Sequence, residues 1–263
     1  GWAGDGPTSR RPAGLNWKGE IMTDIYLYLA IGLVAVLYSS VGHGGASGYL
    51  AVMTIYGLAP AELRSSALLL NIIVSGTAFL SYYFARPVNL KKLIPFLLGS
   101  VPAAFLGGLI LTATPLYKML LGGVLIIAVV RLLLSIRNNH YETREIPFLP
   151  ALVAGTAIGF LSGIIGIGGG ILLSPLLILM RWTTIKESAC LSAVFIFINS
   201  ISGLIGVSVT GLHVTSLMTI CILVAFTGGL LGSTMGSRLF PAALVKYTLM
   251  IVLVVASFKL LVA

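Results

Sequence analysis

The chain has 263 residues, of which 58% are hydrophobic and only 9% are charged, and its formal net charge is +9. A mean hydropathy of +1.07 excludes an ordinary soluble domain and predicts a multi-pass helical membrane protein. The basic residues lie singly between apolar segments instead of clustering on one face, so we assign them to membrane topology and expect no nucleic-acid partner.

The first 21 residues are polar and rich in Gly, Pro and Arg. They lack the apolar core that a signal peptide needs. We interpret residues 1–21 as a polar tail, with Met22 as a candidate native start.

Eight apolar segments follow the tail. A transmembrane helix needs about 20 mostly apolar residues, and six segments meet this requirement: Leu63 to Phe84, Leu93 to Leu111, Leu116 to Ile136, Ser188 to Val209, Val214 to Leu231 and Ala242 to Val262. The other two are interrupted by glycine clusters that lie 124 positions apart, at 42–48 and 166–170. Their arms are Ile25 to Val41 with Tyr49 to Tyr56, and Phe148 to Ile165 with Ile171 to Met180.

The two halves of the chain share more than the glycine clusters. Ser66-Ala67 recurs as Ser192-Ala193, and Ser75-Gly76 recurs as Ser202-Gly203. We therefore predict two membrane repeats, 22–137 and 148–263, joined by a cytoplasmic linker at 138–147. Scattered glycines in the spans are expected to allow close helix packing: Gly107, Gly108, Gly122, Gly123, Gly228 and Gly229.

Basic residues decide how each broken segment crosses the membrane. If both segments are hairpins, ten basic residues after position 21 lie on one side and three on the other; single crossings give seven and six. Cytoplasmic loops concentrate Lys and Arg, which favours hairpins. The predicted fold is an all-α polytopic membrane protein of two inverted repeats, each a glycine-broken helical hairpin plus three transmembrane helices.

The glycine-rich hairpin tips are the candidate site, and in this fold they approach each other near the midplane. A helix that starts in a glycine turn presents unpaired N–H groups and a partial positive charge, which suits an anion. The candidate binding residues are Gly42, His43, Gly44, Gly45, Ala46, Ser47, Ser66, Asn71, Gly166, Ile167, Gly168, Gly169, Gly170, Ser192, Asn199 and Ser202. His43 is the proton-coupling candidate; the alternative is a neutral histidine bonded to a backbone carbonyl.

Acidic and cysteine residues argue against cation transport and against metal chemistry. Every Asp and Glu lies in the tail, in a loop or at the end of a span, whereas cation carriers usually bury carboxylates. Cys190 and Cys221 are 31 residues apart, so they form no CxxC pair or thiolate metal site. We expect no metal, no cofactor and no enzymatic activity.

The duplicated glycine-rich broken helices, the stretch from Asn199 to Gly203, the eight apolar segments and the length resemble the TauE/SafE sulfite exporter family. The resemblance covers nearly all of Met22 to Ala263. It implies a secondary transporter of sulfite, thiosulfate, sulfonates or sulfoacetate in the bacterial inner membrane, with proton coupling suspected.

Two other functions share some of these features. A passive anion channel would use the same binding chemistry without accumulating its substrate. A rhomboid-like intramembrane protease is suggested by Gly45-Ala46-Ser47-Gly48, which resembles GxSG, with His213 as the base. His213 is, however, predicted at an outer interface, and a protease gives the duplication no role.

Overall fold

The computed structural model describes residues 17–58, 60–110, 143–212, 214 and 217–241, with 243–245, 247–248, 250–251 and 254. The helices in these residues are α1 (Trp17–Ser39), α2 (Ala46–Tyr56), α3 (Pro60–Ala85), α4 (Ile94–Leu109), α5 (Phe148–Ile165), α6 (Gly170–Leu179), α7 (Ile185–Thr210) and α8 (Met218–Thr234). A 3-10 turn, Leu90–Leu93, precedes α4, and a π-helical turn, Met235–Leu239, follows α8. The predicted spans Leu116 to Ile136 and most of Ala242 to Val262 lie outside the described residues.

The described residues form a membrane protein by length and by composition. Five helical stretches are long and apolar enough to cross a bilayer: 62–85, 90–109, 148–165, 185–210 and 218–239. Large apolar side chains such as Leu29, Leu98 and Leu223 face outward, while Asn71 and Asn199 are buried. An apolar surface around a partly polar interior suits a lipid environment, and it confirms the all-α polytopic class.

The first broken segment folds back on itself as a hairpin. Gly48 of α2 packs against Val34 and Tyr38 of α1. At the other end of the pair, the Tyr56 hydroxyl at the end of α2 donates to Asp24 near the start of α1. Because α2 returns alongside α1, its far end lies on the side of the protein from which α1 enters.

The second broken segment has the same form. The N–H of Arg144, ahead of α5, donates to the carbonyl oxygen of Arg181, beyond α6, at 2.8 Å. The chain therefore enters and leaves this segment at one end. Both segments are hairpins, as the distribution of basic residues predicts.

The main contacts between the two repeats are preserved when the repeats are exchanged, although α1 packs more closely on α2 than α5 packs on α6. The fourth helix of each repeat packs on the first helix of the other, so that α4 contacts α5 and α8 contacts α1. The equivalent helices α3 and α7 meet in the centre and run antiparallel, because Asn71 lies against Ser200 and Gly76 lies against Phe197. Repeats of opposite orientation require such antiparallel pairing; the orientation in the membrane stays a prediction.

Glycine allows the helices of the two repeats to touch backbone to backbone. A Cβ atom on Gly155, Gly159 or Gly163 of α5 would overlap a carbonyl oxygen of α4. On the equivalent interface, a Cβ on Gly228 would lie 2.7 Å from the carbonyl oxygen of Gly32 in α1. The packing predicted for Gly107, Gly108, Gly228 and Gly229 is confirmed, while Gly122 and Gly123 lie outside the described residues.

The α4–α5 contact should tolerate no added methyl group. We expect Gly159→Ala to destabilise the protein by about 1–3 kcal/mol, because its Cβ would overlap the Ser100 carbonyl oxygen. Thermal unfolding in detergent measures this change. Gly203→Ala is the matched control, since the nearest atom to its Cβ would be 3.8 Å away. Equal melting temperatures for the two variants would contradict the backbone contact.

Candidate functional site

The two hairpin tips are breaks in the helices that only glycine accommodates easily. We define tip 1 as residues 40–45 and tip 2 as residues 166–169. Gly42 and Gly45 have φ of +77° and +93°, and Gly166, Gly168 and Gly169 have φ of +83°, +70° and +76°. These left-handed conformations strain other residues. All residues of both tips are buried, so the breaks lie inside the protein.

Asn71 of α3 joins the two tips through its side-chain amide. Its Oδ1 accepts a hydrogen bond from the N–H of Ala46, the first residue of α2, at 3.2 Å. Its Nδ2 donates to the carbonyl oxygen of Ile167 in tip 2 at 3.3 Å and to Ser200 Oγ of α7 at 2.9 Å. A single neutral side chain therefore caps one helix and binds the opposite hairpin.

Two glycines make room for this amide. A Cβ on Gly44 would overlap Asn71 Oδ1, and one on Gly168 would overlap Asn71 Nδ2 and lie 2.7 Å from Ser200 Oγ. One glycine from each tip therefore borders the Asn71 side chain. The predicted meeting of the tips is observed, with Asn71 between them.

His43 forms the second link between the tips. Its Nδ1 lies 3.1 Å from the carbonyl oxygen of Val41, and its Nε2 lies 3.1 Å from the carbonyl oxygen of Gly170, the first residue of α6. A carbonyl oxygen only accepts hydrogen bonds, and a neutral imidazole carries one N–H. Only a doubly protonated ring can donate to both carbonyls at once.

The second repeat lacks the equivalent of the Asn71 cap. Asn199 donates to Phe195 O of its own helix at 2.8 Å, and its buried Oδ1 has no hydrogen-bond partner among the described residues. Among the described residues no acceptor is found for the N–H groups of Gly170 and Ile171, and the first bonded N–H of α6 is that of Leu172. The first N–H of α2, that of Ala46, is already bonded to Asn71. The first N–H groups of α6 therefore remain available as hydrogen-bond donors.

Buried hydroxyls without a described partner lie beside both tips. Tyr49 is fully buried, and its ring carbon Cζ would be 2.9 Å from a Cβ on Gly45. Ser162 lies beside tip 2, because a Cβ atom added to Gly169 would be 3.3 Å from the Cβ of Ser162. Neither hydroxyl has a partner among the described residues, and the same holds for Ser66 Oγ on α3. Tyr49 and Ser162 add donors to the site.

Three other predicted serines have different surroundings. Ser47 Oγ bonds with Tyr38 OH at 2.9 Å, and Ser192 accepts from Ser174 Oγ at 2.6 Å. Ser202 donates to Val101 O of α4 at 2.6 Å, so it contributes to helix packing instead of facing a tip. His213, the base in the protease alternative, lies outside the described residues.

Arg64 holds helix ends together beside tip 2. Its guanidinium donates to the carbonyl oxygens of Ile110 at 2.7 Å, Gly107 at 2.8 Å and Gly108 at 3.0 Å, and also to that of Gly163. These carbonyls lie at the C-terminal ends of α4 and α5, where the helix dipoles favour a cation. The charge is thus stabilised without a carboxylate.

Sequence reasoning missed Tyr38, Tyr49, Ser162 and Ser200. Tyr49 follows Gly45 by four residues, and helical side chains point towards the N-terminus, so this spacing predicts its contact with the tip. Ser200 directly follows Asn199 in the stretch that carries the family resemblance. Ser162 offers no comparable signal, because serines occur throughout the spans.

Comparisons with known proteins agree with this architecture. The family model described as "Sulfite exporter TauE/SafE" matches residues 27–260. The probable membrane transporter protein y4hK of Sinorhizobium fredii is 31% identical over 241 residues, which cover 90% of this chain and 98% of that protein. A probable membrane transporter protein of Methanocaldococcus jannaschii is 29% identical over 123 residues, 46% of each chain. No solved structure matches the chain.

The buried asparagines of the two central helices, Asn71 and Asn199, should differ in their effect on stability. We expect Asn71→Ala to lower the free energy of unfolding by about 1–3 kcal/mol, because it leaves the buried N–H of Ala46 and carbonyl of Ile167 without this partner. Asn199→Ala, the matched control, removes one bond within a helix and should cost less. Thermal unfolding of both purified variants tests the difference, and a larger loss for Asn199→Ala would refute the bridge.

Proposed function

Because the chain belongs to the TauE/SafE sulfite exporter family, we propose that this membrane transporter is a secondary carrier of small sulfur-containing anions. Sulfite, thiosulfate, sulfonates and sulfoacetate are the candidate substrates, and the bacterial inner membrane is the expected location. The family description supports the substrate class because it names sulfite. The curated relatives support transport alone, since their names specify no substrate.

The observation that carries the proposal is the meeting of two glycine-broken helix starts around one neutral amide. Asn71 Oδ1 accepts from the first N–H of α2, which is the bond that an anion oxygen would make there. On the opposite hairpin, the N–H groups of Gly170 and Ile171 have no described acceptor. An anion between the tips would take the place of Asn71 Oδ1 and satisfy the donors of α6.

Neutral donors suit such a substrate. The Tyr49 and Ser162 hydroxyls lie beside the tips without described partners. The acidic side chains described by the structure, Asp24, Glu62, Glu145 and Glu187, lie near helix ends, so none repels an anion at the tips. Amide and hydroxyl donors bind an anion without fixing a permanent counter-charge, which allows its release.

Substrate binding also provides a reason for movement. Asn71 ties α2 and tip 2 together only while its amide bonds both. An anion that displaces Oδ1 breaks this tie and stabilises an arrangement in which the hairpins separate. A ligand shifts a conformational equilibrium in this way by binding one state better, and alternating exposure of the site to the two sides follows.

His43 supplies the proposed proton coupling. Both ring nitrogens face carbonyl oxygens, one of them Gly170 O across the tip contact. Gain of a proton completes both hydrogen bonds and links the tips, whereas loss of the proton turns one nitrogen lone pair towards a carbonyl. Protonation of His43 and contact between the hairpins are therefore linked.

Substitutions at the glycine turns test the site. We expect Gly45→Leu and Gly169→Leu to reduce sulfite and thiosulfate flux at least about tenfold, because both positions have positive φ and close neighbours. Flux into proteoliposomes under an imposed gradient is the measurement, with Gly203→Ala as the control variant. Normal flux in both leucine variants would refute the site, and transport that never exceeds equilibration would indicate a channel.

His43 is tested by its response to pH. We expect His43→Ala proteoliposomes to lose the stimulation of anion uptake that an imposed pH gradient causes in the unmodified protein. The reason is that the titratable His43 ring contacts the Val41 carbonyl in tip 1 and the Gly170 carbonyl at the start of α6. His140→Ala, in the predicted cytoplasmic linker, is the control. If the gradient stimulates both variants equally, His43 has a structural role only.

A further inference from the structure

A polar cavity lies apart from the hairpin tips, where α3 ends and α7 begins. Its volume is about 230 Å³, and no tip residue lines it. The polar side chains around it include Tyr82, Arg86, Asn89, Thr184, Lys186 and Ser237. Residues of both repeats line it, since α3 belongs to the first and α7 to the second, and it opens to the outside at the exposed residues Arg86 and Asn89.

Two positive charges in this cavity have no carboxylate partner among the residues that the structure describes. Lys186 Nζ donates to the carbonyl oxygen of Ser237 at 3.1 Å, and the Arg86 guanidinium bonds to nothing in the described part of the chain. Glu187 also lines the cavity, but Lys92 Nζ pairs with it at 2.8 Å. The cavity therefore keeps an excess of positive charge.

These two charges act on each other. Arg86 and Lys186 line the same cavity, and like charges that face one cleft repel each other. A cleft lined with one sign of charge also raises the local concentration of ions of the opposite sign. Both effects favour an anion in the cavity.

The cavity also borders the backbone that leads into tip 1. Tyr82 lines the cavity, and its hydroxyl donates to the carbonyl oxygen of Ser40 at 2.5 Å. Ser40 precedes His43 by three residues. Next to Tyr82, a Cβ on Gly42 would overlap the carbonyl oxygen of Ala189 in α7. One tyrosine therefore connects the charged cavity with the chain that forms the central site.

We propose that this cavity is a second anion site, a vestibule in which a small oxyanion binds between Arg86 and Lys186 before or after it occupies the hairpin tips. The vestibule role rests on the proposed transport function, whereas the binding itself does not. On the predicted topology, Arg86 and Lys186 lie on the cytoplasmic side, so the vestibule serves that side of the membrane. The same oxyanion chemistry occurs on free sulfonates and on lipid phosphates, and the proposal is for a free anion.

Thiol labelling measures the charge and the occupancy of the cavity directly. Ala85→Cys places a thiol on the cavity wall, and the native Cys190 and Cys221 are buried. The measured quantity is the rate of labelling by the anionic ethylsulfonate methanethiosulfonate divided by the rate of labelling by its cationic trimethylammonium analogue. We expect this ratio to be about fivefold higher in Ala85→Cys than in Ala85→Cys/Arg86→Gln. Isethionate at millimolar concentration should slow labelling in Ala85→Cys and have no effect after Arg86→Gln.

The controls separate the possible results. Lys91→Gln removes an equal charge from a neighbouring exposed residue outside the cavity and should leave both the ratio and the protection intact. Arg86→Gln breaks no described hydrogen bond, so it should fold normally. An unchanged reagent ratio, or no protection by isethionate, overturns the site. The lipid alternative is tested in nanodiscs. If phosphatidylglycerol nanodiscs slow the labelling, while isethionate added to phosphatidylcholine nanodiscs does not, the ligand is a lipid headgroup and the proposal of a free anion is overturned.

Neither labelling readout depends on transport. If the protein labels as expected but moves no sulfur-containing anion, the proposed function fails and the site remains. If transport is normal while Arg86→Gln leaves the labelling rates unchanged, the proposal of the second site fails and that of the central site remains.

Discussion

The structure depends on how peptide groups at two helix breaks find partners where lipid provides none. Glycine makes the breaks possible, because the tips need positive φ and room for a neighbouring amide. Asn71 then satisfies an N–H of one hairpin and a carbonyl of the other. The hairpins, the central α3–α7 contact and the candidate site all converge on this side chain. One neutral amide therefore holds the two hairpins together at the place where the proposed substrate would bind.

Much of the architecture could be predicted from the sequence because it depends on strong and repeated signals. Spans follow from apolar length, and the breaks follow from glycine clusters such as the four glycines within five positions at 166–170. The choice of hairpins came from the basic residues between spans, and the bond from Tyr56 to Asp24 and the pairing of Arg144 with Arg181 agree with it. The closeness of α4 to α5 was less accessible, since scattered glycines do not specify their partner helix.

The candidate site was predictable only in outline. Each central helix carries one asparagine, Asn71 in α3 and Asn199 in α7, yet the two bond differently. The reason lies in the residue that follows each asparagine. Ser200, which follows Asn199, accepts a hydrogen bond from Asn71. Ile72, which follows Asn71, has no hydroxyl that could do the same for Asn199. His43 likewise faces a carbonyl across the tips, and its counterpart is Ile167. Such differences depend on two or three side chains at once, which a pairwise comparison of repeats does not reveal.

Under the proposed transport function, the different bonding of Asn71 and Asn199 has an energetic consequence. When such repeats exchange their conformations, the inward-facing form becomes the outward-facing form. Identical halves would give two isoenergetic end states. Here Asn71 bonds to both hairpins, whereas Asn199 donates within its own helix, so exchanging the conformations of the repeats would not give a state of equal energy. Without a bound anion, the protein would then favour the conformation in which its central site is open to one particular side of the membrane. This preference would determine the side from which it binds its substrate first.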